Sequence, residues 1–305
     1  MNPSRRILLA SSLILALTKS GLANADDKIP VAASFSILGD LVRVVGGDRV
    51  AVTTLVGPDQ DAHAFEPRPA DARTLLATKL FVTNGLSFEP WATRLAQATG
   101  YRGATVVASK GVKPIPSGAP GNHGSHRHET ADPHAWQDPE NVVLYVRNIA
   151  AGLSGIDPQG ANGYQANAEA YAKELRALDA WAREQFAAIP LDKRKVITSH
   201  DAFGYLAARY QIRFLAPQGV NTDAAPGARQ VARLIEQILR EKIKAVFVEN
   251  MSNPKLIEQL AKDTGVAVGA RLYADALSSA GQPGSSYLLM MRHNVAQLAA
   301  GMKLN

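Results

Sequence analysis

From Tyr164 to Ile189 the chain contains neither glycine nor proline, and Tyr164, Ala168, Tyr171, Leu175, Leu178, Ala182, Phe186 and Ile189 recur at steps of three and four. That period marks the buried face of one amphipathic helix, about 45 Å long for roughly thirty residues. Pro190 ends it, because proline can neither donate the helical hydrogen bond nor fit beside the preceding turn. A linker helix is therefore expected over 157–190.

Short apolar runs alternate with helical patterns on both sides of this rod. Before it come IPVAAS (29–34), VAVTTLV (50–56), KLFVTN (79–84) and ATVVAS (104–109). After it come KVITS (195–199), IRFLA (212–216), KAVFVE (244–249) and VAVGARLY (266–273), with helical stretches such as RQVARLIEQILREK (229–242) between. Strand-like runs separated by helices imply βαβ units and parallel sheets. The spacing predicts an α/β fold of two lobes, each with a parallel four-stranded sheet and flanking helices, joined by one long rigid linker helix. The N-terminal lobe is expected over 26–156 and the C-terminal lobe over 191–305. The halves share a pattern without a residue-level repeat.

The first 25 residues have the grammar of an export signal. Arg5 and Arg6 precede an apolar run from Ile7 to Leu17, and Ala23-Asn24-Ala25 forms an A-x-A site before Asp26. A signal peptide cleaved after Ala25 is expected; so short a run does not span about 30 Å of hydrocarbon. Without Arg5, Arg6 and Lys19 the balance is 30 basic residues against 27 acidic, a net charge of +3 rather than +6. That balance, with no basic stripe interleaved with aromatics, argues against nucleic acid as a partner. The sequence has no cysteine. Disulfides, thiolate metal sites and a lipid-modified cysteine after the signal are thereby excluded, so any metal must be held by nitrogen and oxygen. The expected mature form is a soluble monomer in the periplasm.

Four of the seven histidines, His123, His126, His128 and His134, lie within NHGSHRHETADPHAWQDPENV (122–142). The stretch SGAPGNHGSHRHET (117–130) is small, polar and aperiodic, and a mobile loop is expected there. Ligands of open α/β sheets gather beyond the carboxyl ends of strands. Four metal-competent residues fall there: His63 in DAHAFEP, His134 in ADPHAWQDP, His200 in KVITSHDAFGY and Asp275 in RLYADALSS. Two lie in each half, so a cleft between the halves is able to unite them. Each also has a plain alternative: a surface loop residue for His63, a packed turn histidine for His134, a helix cap for His200 and an N-cap for Asp275. His293, within YLLMMRHNVAQL, suits a structural or solvated position on a terminal helix.

The blocks DAHAFEP, ADPHAWQDPENV, TSHDAFGYLAARY, AVFVEN and LYADALSS, in this order and at these separations, resemble the zinc- and manganese-specific solute-binding proteins of ABC transporters, the cluster A-I family. The resemblance spans essentially the whole chain after the signal. It implies two α/β lobes bridged by a rigid helix, a metal in the interlobe cleft, and His63, His134, His200 and Asp275 as its ligands. In members resembling the manganese importers the third ligand is a glutamate, whereas His200 stands here. The expected function is high-affinity zinc capture in the periplasm and delivery to an inner-membrane ABC importer. Expected partners are the transported Zn²⁺, the membrane permease and a periplasmic zinc metallochaperone.

Ligand chemistry points the same way. Three neutral imidazoles and one carboxylate suit tetrahedral Zn²⁺ at about 2.0–2.2 Å, and four protein ligands leave no open position for a reacting water. Manganese favours more oxygen and higher coordination, and copper binds such donors more tightly, so selectivity rests on geometry and supply. His123, His126 and His128 are expected to bind zinc loosely and pass it to the cleft. Glu249 and Asp201 are the expected carboxylates behind the ligand rings. The alternatives are a carrier of manganese or another divalent metal, or a zinc-dependent hydrolase. Against the hydrolase, the fourth residue after His128 is Asp132, so H-E-x-x-H fails, and neither G-x-S-x-G nor a P-loop occurs. A surface adhesin on the same scaffold is a weaker expectation.

Overall fold

The computed structural model describes residues 28–117, 131–222 and 226–305. Residues 1–25 and His123, His126 and His128 lie outside the described residues.

In the N-terminal half the strands are β1 (Ile29–Phe35), β2 (Val50–Val56), β3 (Leu80–Thr83) and β4 (Ala104–Val107), all parallel in the order β2-β1-β3-β4. Val31 pairs with Val52 on one side and Leu80 on the other. Central β1 is covered on both faces, so Val31 to Phe35 are all buried and its sequence shows no polar alternation. Right-handed crossovers place α1 (Ser36–Gly46) on one face and α2 (Pro69–Leu76) and α3 (Pro90–Thr99) on the other. The order reverses between β1 and β3, where connections diverge and leave a crevice.

Helix α4 (Pro139–Ile156) returns on the face of α1, started by Asp138, whose carboxylate accepts the Glu140 N–H at 2.8 Å. Two glycines let these helices lie close on the sheet. A Cβ at Gly39 of α1 would stand 2.1 Å from Thr54 Cγ2, and one at Gly152 of α4 would stand 2.1 Å from Val106 Cγ2.

The expected linker helix is α5 (Ala161–Ala187), 27 residues long. Every member of the apolar stripe from Tyr164 to Ile189 is buried. Each Leu or Phe so enclosed contributes about 1.5–3 kcal/mol. The helix lies across α1 and α4 and meets the terminal helix α9 (Tyr287–Met302). Asn167 donates to Val45 O at 2.9 Å, and Arg194 donates to Ile189 O and Tyr210 O just beyond the helix end.

In the C-terminal half β5 (Lys195–Ile197) and β6 (Arg213–Leu215) form a parallel ladder. The two later apolar runs join it through single parallel bridges, Ile197 to Val246, Val246 to Val268 and Glu249 to Leu272. Side-chain alternation splits this sheet between two cores. Val196, Ala245 and Phe247 face the main core with α5 and α9, while Ile197, Val246 and Val248 pack with α7 (Ala228–Glu241) and α8 (Lys255–Thr264). The short α6 (Gly204–Tyr210) carries Arg209, which binds Asp179 of α5 at 2.6 Å and Asp138 of the N-terminal half at 3.1 Å. One guanidinium thus joins all three parts of the chain. Among the described residues no helix is long and apolar enough to cross a membrane.

Candidate metal centre

Four loops deliver four side chains to the cleft between the halves. His63 lies between β2 and α2, where Asp61 Oδ1 accepts the His63 N–H at 2.8 Å. His134 follows an equivalent turn, with its N–H on Asp132 Oδ1 at 2.9 Å. Both are D-x-H segments in which an aspartate closes a turn on the backbone two residues ahead. His200 follows β5, and Glu249 Oε1 accepts the N–H groups of Ser199 and His200 at 2.9 and 3.1 Å. Asp275 follows the last run of the sheet, next to Ala274, whose carbonyl accepts Trp136 Nε1 and Gln137 Nε2, both at 2.9 Å.

Three of the four plain alternatives do not hold, whereas His134 is indeed packed in a turn, fully buried. His63 is buried rather than a surface residue, α6 starts at Gly204 rather than at His200, and no helix begins until Tyr287 after Asp275. Their ligand-type atoms all lie within 4.8 Å of one another. His63 Nε2 is 3.2 Å from His134 Nε2 and 3.4 Å from Asp275 Oδ2; His134 Nε2 is 3.5 Å from Asp275 Oδ1; His200 Nε2 is 3.0 Å from Asp275 Oδ2. A tetrahedron with bonds of about 2.0–2.1 Å has edges of about 3.3 Å. Both Asp275 oxygens and His200 Nε2 are buried with no hydrogen-bond partner among the described residues. Buried polar atoms are rarely left so, and a cation at the centre of the cluster would satisfy all three.

Carboxylates stand behind two of the rings. Asp132 Oδ1 is 2.8 Å from His134 Nδ1, and Glu249 Oε2 holds His200 Nδ1. Such partners fix the ring and leave Nε2 free to face the centre. Glu249 is fully buried and also receives Ser252 Oγ at 3.2 Å. Asp201 is half-buried, and its backbone N–H meets Gly219 O at 3.4 Å. The sequence did not single out Asp132 as a ring partner, although its i to i+2 spacing before His134, matching Asp61 before His63, was a usable signal. It also missed Phe88, whose ring meets His63 edge-on at 4.6 Å, and Asn84, which donates to Pro133 O at 2.9 Å beside His134. His293 has the expected structural place, with Nε2 2.8 Å from Arg271 O and its ring against Tyr273.

Electrostatics follow from this packing. Burial alone would lower the pKa of His134, but Asp275 and Asp132 outweigh it and raise the value to about 9. His200 is also raised well above the ordinary imidazole value, burial being overcome by Glu249 and Asp275. Asp275 sits well below the usual carboxylate range, because the two rings outweigh its burial. The cluster is built to hold positive charge. Further out, burial lifts Glu89 to about 7 against hydrogen bonds from Asn84 and Ser34.

Comparison with known proteins gives a consistent set of likenesses. Residues 31–301 match the family described as zinc-uptake complex component A, periplasmic. The chain is 32% identical to the manganese-binding lipoprotein MntA of Bacillus subtilis over 294 residues, covering 94% of each chain. It is also 32% identical to the iron-binding protein YfeA of Yersinia pestis over 297 residues, covering 97% of this chain and 94% of that one. Among solved structures, the periplasmic zinc-binding protein TroA of Treponema pallidum superposes with a TM-score of 0.82 at 26% identity, over 90% of this chain and 99% of its own. These relatives are named for the metals they bind. The metals named are zinc, manganese and iron.

Proposed function

Because the chain belongs to the family of periplasmic zinc-uptake complex component A proteins, and so is a metal-binding substrate-binding protein of an ABC transporter, we propose that its cargo is zinc. The ion is taken up in the periplasm by His63, His134, His200 and Asp275 and released to an inner-membrane permease. The observation that carries the proposal is the convergence of three imidazole nitrogens and one carboxylate, buried, with four contacts of 3.0–3.5 Å among them that use both Asp275 oxygens, each otherwise unpartnered.

The donor set favours zinc over the metals of several relatives. A single carboxylate among three imidazoles supplies few oxygens for manganese, and the acids behind the rings are engaged, Glu249 by His200 Nδ1 and two backbone N–H groups and Asp132 by His134 Nδ1 and its N–H. Four protein donors fill a tetrahedral shell and leave no site to activate water, which suits carriage rather than hydrolysis. Relatives that bind manganese or iron keep a second reading alive, in which the same residues accept a larger ion with added water.

The domain division follows the same logic: an N-terminal lobe, α5 as linker and a C-terminal lobe, with two ligands from each side. Arg209, the Trp136–Ala274 bond and the buried stripe of α5 support limited motion between the lobes. Metal analysis of protein purified without added metal is the test. Zinc near one equivalent in the unaltered chain, lost in His200→Ala, is expected. Manganese or iron in its place would overturn the zinc assignment.

A further inference from the structure

The four clustered side chains are all enclosed but are not braced alike. His134, His200 and Asp275 are fully buried, and the His63 side chain keeps only 2% of its surface exposed. His134 and His200 are also braced through Nδ1 by carboxylates, whereas Asp61 steadies His63 through its backbone N–H.

The two halves meet differently behind and in front of the cluster. Behind it the bonds are buried: Trp136 Nε1 and Gln137 Nε2 to Ala274 O, and Tyr287 Oη to Trp136 O at 2.7 Å. In front, the loop bearing His63 makes polar contacts with three C-terminal loops. Asp59 Oδ1 accepts Asn250 Nδ2 at 2.8 Å, and Asp59 Oδ2 accepts the Ser279 N–H at 3.3 Å and its hydroxyl at 3.4 Å. Asp61 Oδ2 accepts the Thr222 hydroxyl at 2.6 Å. The Asp59 contacts are solvent-exposed. Asp59 itself is held at φ +56°, in the left-handed region, with its N–H on Leu277 O at 2.9 Å. The Asn250 amide is oriented unambiguously, since Nδ2 also donates to Ala276 O at 3.2 Å and a reversed amide would set oxygen against oxygen.

From this contrast we infer that Asp59 and Asp61 are positioning residues that govern how fast metal is exchanged. They clasp the His63 loop across the mouth of the cleft, and the ion enters and leaves when that loop lets go while the buried rear stays shut. Local opening draws on segments held by exposed hydrogen bonds rather than by packed apolar surface. The clasp touches no proposed ligand atom, so it favours the closed loop equally with and without metal. Loosening it therefore raises entry and exit rates together and leaves the equilibrium nearly unmoved, because no differential affinity is altered. The inference rests on His63 being a ligand.

Stopped-flow kinetics test it. Zinc entry is followed by tryptophan fluorescence, Trp136 lying 5.2 Å from the His134 ring, and exit by transfer to excess chelator. Loss of the charge-assisted bonds in Asp59→Ala, or of their donor in Asn250→Ala, is expected to raise both rates about tenfold with Kd changed by less than about threefold. Asp59→Asn should move in the same direction by less, and it keeps the test alive should the alanine variant misfold. The double variant should fall short of the product of the two single effects, since the Asp59–Asn250 bond is already lost in either one. Wild-type rates in the single variants, a weaker Kd with unchanged entry, or multiplied rates in the double variant would each overturn the inference. A wild-type protein that takes up no zinc would instead defeat the ligand assignment beneath it.

Discussion

His134 Nδ1 lies 2.8 Å from Oδ1 of Asp132, the same oxygen that accepts the His134 backbone N–H at 2.9 Å. One carboxylate therefore fixes both the turn and the ring, and turns Nε2 toward His63, His200 and Asp275. Tyr205 of the other half donates to the Asp132 carbonyl at 3.0 Å, which ties this turn across the cleft. Replacing Asp132 with alanine should weaken zinc binding by about 10- to 100-fold, the usual cost of losing a carboxylate behind a metal-bound imidazole. Competition against a chromophoric chelator measures it; an unchanged affinity would remove Asp132 from the account.

Zinc uptake should release protons. Metal-free His134, at about 9, and His200, raised well above the ordinary imidazole value by Glu249 and Asp275, both favour the protonated form at neutral pH, and each must lose that proton to bind zinc through Nε2. Calorimetry in buffers of different ionisation enthalpy should give about two protons released per ion at neutral pH. Affinity should keep rising as pH climbs toward about 9. The ordinary imidazole value places this competition near about pH 6; the three carboxylates around the rings move its onset upward.

The same shifts set the stability of the metal-free protein, with the sign fixed by linkage. His134 is raised on folding from 6.5 to about 9, so its contribution is complete below the unfolded value and is lost as pH rises through the folded one. His200 acts in the same direction. Asp275, lowered on folding, contributes above its unfolded value of 3.8 and loses that contribution only in strong acid. The melting temperature of metal-free protein should thus fall between about pH 6.5 and 9, while the increment added by zinc grows over the same window. Thermal scans across that range, with zinc and with chelator, check both slopes.

Arg209 should matter for stability rather than for binding. Its side chain is 16% exposed and meets Asp179 and Asp138, so Arg209→Ala leaves the partly buried Asp138 without this cation and Asp179 with Arg183 at 3.1 Å in its place. The expected loss lies between the roughly 0–1 kcal/mol of exposed pairs and the roughly 3–5 kcal/mol of buried ones. Urea unfolding of the metal-free variant measures it, and zinc affinity should change little.

The histidines at 123, 126 and 128 give a kinetic prediction from sequence alone. Deleting Asn122 to His128 should slow loading from a zinc donor and leave the equilibrium affinity of the cleft intact. Time-resolved transfer from a zinc-loaded chelator decides it, and identical loading curves would make the segment a spacer.

Much of the architecture was legible because it rests on periodicity. The α5 stripe, the runs that became β1 to β6, and the four residues after strand ends all follow from patterns that local sequence carries. Distances between the halves do not follow from local pattern. The runs at 244–249 and 266–273 were visible as extended segments, but their reduction to single bridges depends on how α7 and α8 draw them across the sheet. Glu249 was singled out because it ends an apolar run; that it holds His200 Nδ1 is visible only in the fold. Phe88 and Asn84 escaped because an apolar wall and a carbonyl-holding amide carry no ligand signature; they flank a turn in which Gly85, Leu86 and Ser87 all take positive φ.

X-ray absorption at the zinc edge addresses the central claim most directly, because it reads the atoms around the ion. Three imidazole nitrogens and one carboxylate oxygen at about 2.0–2.2 Å are expected, with the oxygen shell altered in Asp275→Ala. A shell of five or six light atoms containing fewer than three imidazoles, or a spectrum indifferent to Asp275→Ala, would contradict it.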